Sequence, residues 1–186
     1  MIIRSGTELI DPAAVLLRVG VREGQRLADF GCGALGHFVF PAAQMVGGTG
    51  AVFALDVQQP VLRHIERTAK SAQLFNIYPV WSDFDVYRGA DIAPHSLDLV
   101  LLANNLTLSQ NHGELLREMS RLVRPGGRIV VIDWKDEELP MGPAMRYSPS
   151  QAKELFVSPL VRQYDEFDAG PYHYGLIFLR TERSVA

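Results

Sequence analysis

A short apolar segment that runs into a glycine-rich turn constrains this chain more than any other feature. The segment is 27–30, and the turn that follows, 31–36, reads Gly-Cys-Gly-Ala-Leu-Gly. A second apolar run, 51–56, ends in an acid, Asp56, twenty positions past the last glycine. Glycines let the backbone approach a ligand closely, and an acid at this spacing can accept hydrogen bonds from ribose hydroxyls. The pattern therefore predicts a nucleotide-shaped ligand at the ends of two neighbouring strands.

The chain alternates between strand-like and helix-like segments up to residue 134. Apolar residues recur with a period of about 3.6 in the helical segments, and the run 97–103 is apolar almost throughout, as in a strand covered on both faces. Strands joined by crossover helices form a parallel sheet. The predicted strands are 26–30, 51–56, 77–81, 97–103 and 129–134, and the predicted helices are 13–19, 36–45, 60–73 and 114–123.

The rhythm changes after residue 134. The segment 136–147 is acidic and rich in proline, glycine and methionine, which predicts a loop, and Ser148-Pro149 predicts the start of a short helix. Two β-rich runs follow, 161–167 and 173–179, with too few residues between them for a helix. They therefore predict an antiparallel hairpin at the sheet edge.

Composition narrows the class of protein. The chain has 186 residues, of which 47% are hydrophobic and 21% charged, as in a soluble globular protein. The formal net charge of −3 gives no broad electrostatic footprint for nucleic acid, so we do not expect a nucleic-acid partner. Four arginines are close in sequence and are interpreted as a solvated helix face and its C-terminal turn: Arg117, Arg121, Arg124 and Arg128.

Other kinds of site are disfavoured. The single cysteine, Cys32, allows no internal disulfide or cysteine metal cluster, and its place in the glycine turn favours a small buried filler over a nucleophile. No metal site is predicted. The chain lacks an apolar run of about eighteen residues and a signal-peptide core, so we expect a cytoplasmic protein without a membrane partner.

Several ordered motifs give the chain a family resemblance over about residues 25 to 180. In chain order they are Asp29-x-Gly31-x-Gly33, Asp56, Ser82-Asp83-Phe84, the segment 98–105, the turn 124–128 and the terminal hairpin. Together they resemble the class I S-adenosylmethionine-dependent methyltransferases, and most closely the branch that methylates small molecules, including quinone precursors.

The resemblance implies a fold, a cofactor and an activity. The fold is α/β, a doubly wound, Rossmann-like sheet of seven mostly parallel strands with an antiparallel C-terminal strand. A single methyltransferase domain would cover 1–186, with 1–24 as a helical lead-in and 135–158 as a candidate substrate loop or lid. The cofactor would be S-adenosyl-L-methionine, and its methyl group would pass by in-line displacement to an unidentified small-molecule acceptor.

The resemblance also implies how the amino-acid and ribose parts of the cofactor are bound. The backbone at Gly31 and Gly33 would pass close to the ligand, and Gly36 would complete the turn. Asp29 would accept from the ligand ammonium through water, or simply hold the loop. Asp56 would bind both ribose hydroxyls, with capping of the following helix as the alternative.

The adenine and methionine ends have their own candidates. Asp83 would accept a hydrogen bond from the adenine amino group, with a surface turn as the alternative, and Phe84 or Val57 would supply an apolar wall. Asn104 and Leu106 follow the run 97–103, where the family contacts the methionine part, although Asn104 could equally form a turn.

The glycine turn by itself is compatible with other functions. Its spacing also satisfies the dinucleotide fingerprint, which is weak evidence by itself. The acid two residues before Gly31, the Pro-Gly-Gly turn and the terminal hairpin argue against an NAD-binding oxidoreductase. A cofactor-binding partner subunit without chemistry is the other alternative. Leu35 stands where the family often has glycine, which predicts a turn that is one residue longer or differently shaped.

The sequence identifies no catalytic residue. None is required by the chemistry unless the acceptor has a high pKa, because only then does in-line methyl transfer need a strong base. His112 is the first candidate base, since it follows the run 97–103 on the ligand side, and an exposed helix start is its alternative. The other candidates, for which packing roles are the alternatives, are His37, His173, Tyr172 and Tyr174.

The acceptor is constrained by missing motifs. No Asn-Pro-Pro-Tyr sequence follows 97–103, which disfavours the members that methylate amines of bases or glutamine, and a single thiol disfavours an arsenite acceptor. The loop 137–145 is either a lid or a plain connection. Because little of the sequence could close over the substrate site, two alternatives remain: the substrate is large, or a second subunit of a homodimer completes the site.

Overall fold

A seven-stranded sheet organises the computed structural model, which describes residues 9–136 and 142–182. The helices are α1 Pro12–Arg18, α2 Val39–Val46, α3 Gln59–Ser71, α4 His112–Leu122 and α5 Pro149–Leu155. The strands are β1 Arg26–Phe30, β2 Ala51–Asp56, β3 Ile77–Trp81, β4 Leu97–Ala103, β5 Val123–Trp134, β6 Val161–Gly170 and β7 His173–Arg180. A single 3-10 turn, Leu106–Leu108, follows β4.

The strand order is β3-β2-β1-β4-β5-β7-β6. Strands β1 to β5 pair in parallel, whereas β7 is antiparallel to both β5 and β6. The structure thus confirms the doubly wound sheet and its terminal hairpin. The Pro-Gly-Gly turn predicted at 124–127 lies inside β5, where the register on β4 shifts between Leu97 and Leu99.

Each face of the sheet has its own apolar core. Side chains of α1, α2 and α3 pack on one face, and side chains of α4 and α5 pack on the other. Successive residues of β1 divide between them, with Leu27 in the first core and Ala28 in the second, because strand side chains alternate. The sheet is therefore covered on both sides, as its continuous apolar runs predict.

Two predicted helix starts are confirmed by their caps. The Asp11 carboxylate accepts from the Ala14 backbone N–H at 3.1 Å, with Pro12 as the first helical residue of α1. Ser148 and Gln151 form a reciprocal capping box at the start of α5.

The connection between β3 and β4 contains no α-helix, in agreement with the predicted helices, whereas the other parallel connections each contain one. Residues 82–96 instead form a series of turns, beginning where the Asp83 carboxylate accepts from the Asp85 N–H at 3.0 Å. Ala90 and Ile92 are buried in the core on the α4 face. Local turn chemistry and these two apolar anchors replace the helix.

The arginines predicted to form a solvated face have different environments. Arg121 is buried and bonded to the Glu118 carboxylate at 2.6 and 2.8 Å, so the solvated interpretation is wrong for this residue. Arg117 pairs with Glu114 at 3.0 Å, and Arg124 pairs with Asp98 at 2.8 Å. Arg128 is half-buried and donates to the Val19 carbonyl at the end of α1.

Candidate cofactor site

Polar side chains converge where the parallel strands end. Asp29 lies in β1, Asp56 ends β2, Ser82 follows β3 and Asp133 lies near the end of β5. The strand order reverses between β1 and β4, and ligands of open α/β sheets bind at such a point, outside the carboxyl ends of the strands.

The glycine turn after β1 depends on its glycines for different reasons. Gly31, Gly33 and Gly36 all have left-handed backbone, with φ of +74°, +62° and +54°. A Cβ at Gly31 would lie 2.5 Å from the Asn105 amide nitrogen, and one at Gly36 would lie 2.7 Å from the Phe40 ring. A Cβ at Gly33 would meet nothing within 4 Å. Only Gly33 therefore presents its backbone to open space.

Leu35 and Gly36 have contrasting environments in the glycine turn. The Leu35 side chain is 82% exposed, and the next residue, Gly36, carries the left-handed backbone and the close packing. Leu35 therefore projects an apolar group from the glycine turn, and a turn that is one residue longer or differently shaped than in the family stays a prediction.

Asp29 is a nearly buried carboxylate without a described hydrogen-bond donor. It is 3% exposed, and no residue within 9–136 or 142–182 donates a hydrogen bond to it. Burial, and then the charge of Asp56, raise the pKa of Asp29 to about 7. The same two effects, burial and nearby carboxylates, raise the pKa of the Cys32 thiol, which supports the filler interpretation over a nucleophile.

Asp56 ties the glycine turn to the start of α3. Its Oδ2 accepts from the Gly33 N–H at 3.2 Å, and its Oδ1 accepts from the Gln58 N–H at 2.9 Å. The capping alternative is thus partly realised, since Gln58 immediately precedes α3. Each carboxylate oxygen keeps a second lone pair, so ribose binding stays a prediction that these contacts allow.

The residues that follow β3 combine an unpaired hydroxyl with a turn. The Ser82 hydroxyl is buried and has no hydrogen-bond partner in the described part of the chain. Asp83 uses one carboxylate oxygen in the turn to Asp85, which matches its surface-turn alternative. Val57 is 48% exposed beside the site, whereas Phe84 packs partly buried against the core on the α4 face.

At the exit of β4 two neighbouring asparagines have different environments. Asn104 is exposed with φ of +59°, whereas Asn105 turns inward. The Asn105 amide nitrogen lies 3.0, 2.9 and 2.8 Å from the carbonyls of Phe30, Gly31 and Ala103 and donates towards them. Sequence reasoning missed Asn105, which joins the exits of β4 and β1.

Asp133 is a second residue that sequence reasoning missed. It is 1% exposed, accepts from the N–H groups of Leu106 and Trp134, and has its pKa raised by burial. An acid near the end of a strand, the signal that identified Asp56, could have found it. Leu106 is fully buried, so its side chain packs in the core, and its cofactor contact stays a prediction.

His112 is held in a fixed orientation on the α4 side. Its Nε2 lies 3.0 Å from the Leu106 carbonyl, and its ring meets the Tyr147 ring edge-on at 5.5 Å. Tyr174 donates its hydroxyl to the Tyr147 carbonyl at 3.0 Å, and burial raises its pKa. A neutral His112 that donates from Nε2 keeps a lone pair on Nδ1.

His37 and His173 lie on the opposite face of the sheet. His37 Nε2 is 3.3 Å from the Ile10 carbonyl, which indicates a packing role beside the turn. His173 is 1% exposed, its ring is 4.2 Å from the Trp134 ring, and it lies beside the backbone of Leu9. Burial is the main cause that lowers the pKa of His173 to about 4. The Tyr172 carbonyl accepts from the Lys135 N–H.

The candidate lid lies only partly within the described residues. Residues 137–141 fall outside them. A Cβ at Gly142 would lie 2.8 Å from the Trp134 ring, so the chain returns directly over this side chain at the end of β5. Met145, 58% exposed, and Tyr147 continue towards His112.

The donor set fits S-adenosylmethionine. The unpaired Asp29 carboxylate suits a cation, and the backbone at Gly33 faces open space. The Ser82 hydroxyl has no hydrogen-bond partner among the described residues. Over 9–136 and 142–182, no three His, Cys, Asp or Glu side chains are grouped to hold a metal ion. No helix in these ranges combines the length and apolar character needed to cross a membrane.

Solved structures and curated proteins share this architecture. A SAM-dependent methyltransferase from Aquifex aeolicus superposes with a TM-score of 0.88 at 26% identity, over 96% of this chain and 94% of that one. Nocamycin O-methyltransferase from Saccharothrix syringae is 33% identical over 67% of this chain and 44% of its own length. A ubiquinone/menaquinone biosynthesis C-methyltransferase from Pseudoalteromonas translucida is 30% identical over 64% of this chain and 46% of its own length.

A family model described as a methyltransferase domain matches residues 22–166. The chain belongs to this family, and its fold and strand order are those of the class I S-adenosylmethionine-dependent methyltransferases. S-adenosylmethionine is accordingly the cofactor, and the dinucleotide alternative is not supported. The chain spans about 44 to 60% of the length of the curated relatives to which it is similar.

Proposed function

We propose that this chain transfers the methyl group of S-adenosylmethionine to a small-molecule acceptor. The observation that carries the proposal is the Asp29 carboxylate, which is nearly buried at the end of β1 and has no described donor. A buried charge is costly unless a ligand pairs with it. The ammonium group of the cofactor is such a partner, directly or through water.

The remaining cofactor contacts follow from the strand exits. The open backbone at Gly33 lies against the methionine part, and Asp56 accepts from the ribose hydroxyls with its free lone pairs. The unpaired Ser82 hydroxyl and the second carboxylate oxygen of Asp83 lie towards the adenine end, with Val57 as an apolar wall.

The bound cofactor supplies an electrophilic methyl group on a sulfonium. The protein aligns the acceptor with it and excludes water. His112 is our candidate for holding the acceptor proton, because its ring is fixed by the Leu106 carbonyl and the Tyr147 ring. Its Nδ1 is then the proton-accepting atom.

The acceptor carries an apolar portion in this proposal. Three large apolar side chains in the segments that follow β1, β4 and β5 are exposed: Leu35 at 82%, Leu108 at 62% and Met145 at 58%. Exposed apolar groups around a cleft favour an apolar ligand. Relatives named as an O-methyltransferase and a C-methyltransferase match at similar identity, so we leave the attacked atom open between oxygen and carbon.

Calorimetry tests the cofactor assignment. We expect S-adenosylhomocysteine to bind and NADH to give no heat. The absence of binding by S-adenosylhomocysteine far above micromolar concentration would rule out the proposal. Binding without methyl transfer to any fraction of a cell extract would instead favour a partner subunit without chemistry.

Replacing Asp56 with alanine should weaken S-adenosylhomocysteine binding by about 1.5–3 kcal/mol, the cost of losing charge-assisted hydrogen bonds. This corresponds to a roughly 10- to 150-fold increase in Kd, measured by calorimetry. Part of the loss comes from the glycine turn, because Asp56 also accepts from the Gly33 N–H.

Asp91→Ala is the matched control for Asp56→Ala. Asp91 is exposed on the connection between β3 and β4 and should leave the affinity unchanged. An Asp56→Ala protein with wild-type affinity would show that Asp56 is not the ribose ligand.

A further inference from the structure

A groove lined by arginines lies at the end of the parallel strands that is opposite the cofactor site. Its volume is about 420 Å³, and its walls include Arg18, Arg22, Arg128, Tyr164 and Asp165, which define what we call the arginine groove. Arg128 is six residues before Trp134 in β5, a distance of about 20 Å in a strand. The arginine groove is therefore separate from the site of methyl transfer.

The arginine groove is positive although the chain has a net charge of −3. Arg18 is neutralised by Asp165, with Nη2 and Oδ2 2.6 Å apart, and this ion pair lowers the pKa of Asp165. Within 9–136 and 142–182, no carboxylate forms an ion pair with Arg22 or Arg128. Two guanidinium groups thus share one concave surface without a counter-charge.

Local geometry builds this wall of the groove. Arg128 Nη1 donates to the Val19 carbonyl, and a Cβ at Gly20 would lie 2.5 Å from that nitrogen. Gly20 has φ of +78°, so glycine is needed both for the backbone and for the guanidinium beside it. The Arg22 N–H is bonded to the Gln25 side chain at 2.9 Å. The remaining guanidinium N–H groups of Arg128 are left to donate to a ligand.

We propose that the arginine groove binds the phosphate group of an organic phosphate. The planar fork of a guanidinium matches two phosphate oxygens, and two such forks favour phosphate over a singly charged anion. Tyr164 is 61% exposed and adds a phenolic donor. Ile177 and Leu179 form an apolar wall for the organic part. A soluble phosphate ester and a phospholipid headgroup share this chemistry.

Pyrophosphate is the first probe, titrated calorimetrically into the full chain at low ionic strength. We expect binding that Arg22→Gln weakens by about fivefold or more, because one bidentate contact is lost. The affinity should fall as KCl is added. Arg67→Gln, an exposed arginine on α3, is the matched control and should change the affinity by less than about twofold.

Saturation with S-adenosylhomocysteine separates this site from the cofactor site. The pyrophosphate affinity should be the same with and without it. Competition between the two ligands, or wild-type affinity in Arg22→Gln, would overturn the proposal. Arg128→Gln also removes the contact to Val19, so if this variant fails to fold, Arg22→Gln and the exposed Tyr164→Phe decide the outcome.

Two further experiments distinguish a soluble phosphate ester from a phospholipid headgroup. Glycerol 3-phosphate that displaces pyrophosphate, without sedimentation on vesicles, indicates a soluble ester. Sedimentation of the wild type, but not of Arg22→Gln, with mixed phosphatidylglycerol and phosphatidylcholine vesicles indicates a lipid headgroup. If neither glycerol 3-phosphate nor the vesicles are bound, the organic-phosphate assignment is wrong.

Discussion

Replacing Asp29 with asparagine should stabilise the free protein at about pH 9 by roughly 2–4 kcal/mol and by less than about 1 kcal/mol near pH 4. Burial and Asp56 raise the pKa of Asp29 from its ordinary value of 3.8 to about 7. The folded state therefore holds this proton more tightly than the unfolded state. The contribution of Asp29 to stability therefore falls as the pH rises from about 4 through 7 and is constant above that window. Asparagine cannot ionise, so the variant does not lose the free energy that ionisation of the buried Asp29 takes from the wild type.

Urea unfolding of wild type and Asp29→Asn at both pH values measures the effect. Asp91→Asn is the matched control, because Asp91 is exposed and its loss should leave the pH dependence of unfolding unchanged. A stability difference between wild type and Asp29→Asn that is the same at both pH values would contradict the raised pKa.

The same linkage gives an expected result for cofactor binding. An ammonium group that pairs with Asp29 lowers the pKa of the carboxyl, so binding of S-adenosylhomocysteine near pH 6 should release close to one proton. Calorimetry in buffers of different ionisation enthalpy measures that proton. Asp29→Asn should release none. Equal proton release by the wild type and Asp29→Asn would show that Asp29 does not contact the ammonium group.

The sheet and the main site acids could be predicted from sequence because both depend on simple periodic patterns. Apolar runs that alternate with helical segments fix a parallel sheet, and parallel strands end at one edge. Asp29 and Asp56 were found for this reason, since each lies at the end of its run. Asp133 carries the same signal at the end of β5.

Other features depend on residues that are distant in sequence. Nothing local distinguishes Asn104 from Asn105, and the left-handed backbone of Asn104 decides which side chain turns towards β1. Arg121 resembles its solvated neighbours in sequence. Its burial requires the carbonyls of Ala90 and Ile92, which come from the turns before β4 and bond to it at 2.9 Å.

Replacing Glu118 with alanine should destabilise the protein by about 3–5 kcal/mol, because it leaves the buried Arg121 guanidinium without its counter-charge. The Glu118 side chain is fully buried and also accepts from the backbone N–H groups of Arg88 and Ala90 at 2.7 and 3.1 Å. These contacts hold the connection that includes Asp83, which we propose binds adenine. The variant should therefore also bind S-adenosylhomocysteine more weakly.

Thermal and urea unfolding measure the loss in Glu118→Ala, and Glu114→Ala on the same helix is the matched control. Glu114 forms an ion pair with Arg117 that is partly exposed to solvent, and ion pairs near the surface contribute roughly 0–1 kcal/mol. A Glu118→Leu/Arg121→Met double variant should recover part of the stability, because no charge is then left buried. The N–H groups of Arg88 and Ala90 stay unpaired in it, so the recovery should be incomplete. Equal losses in Glu118→Ala and Glu114→Ala would mean that the buried pair does not anchor the turns between β3 and β4.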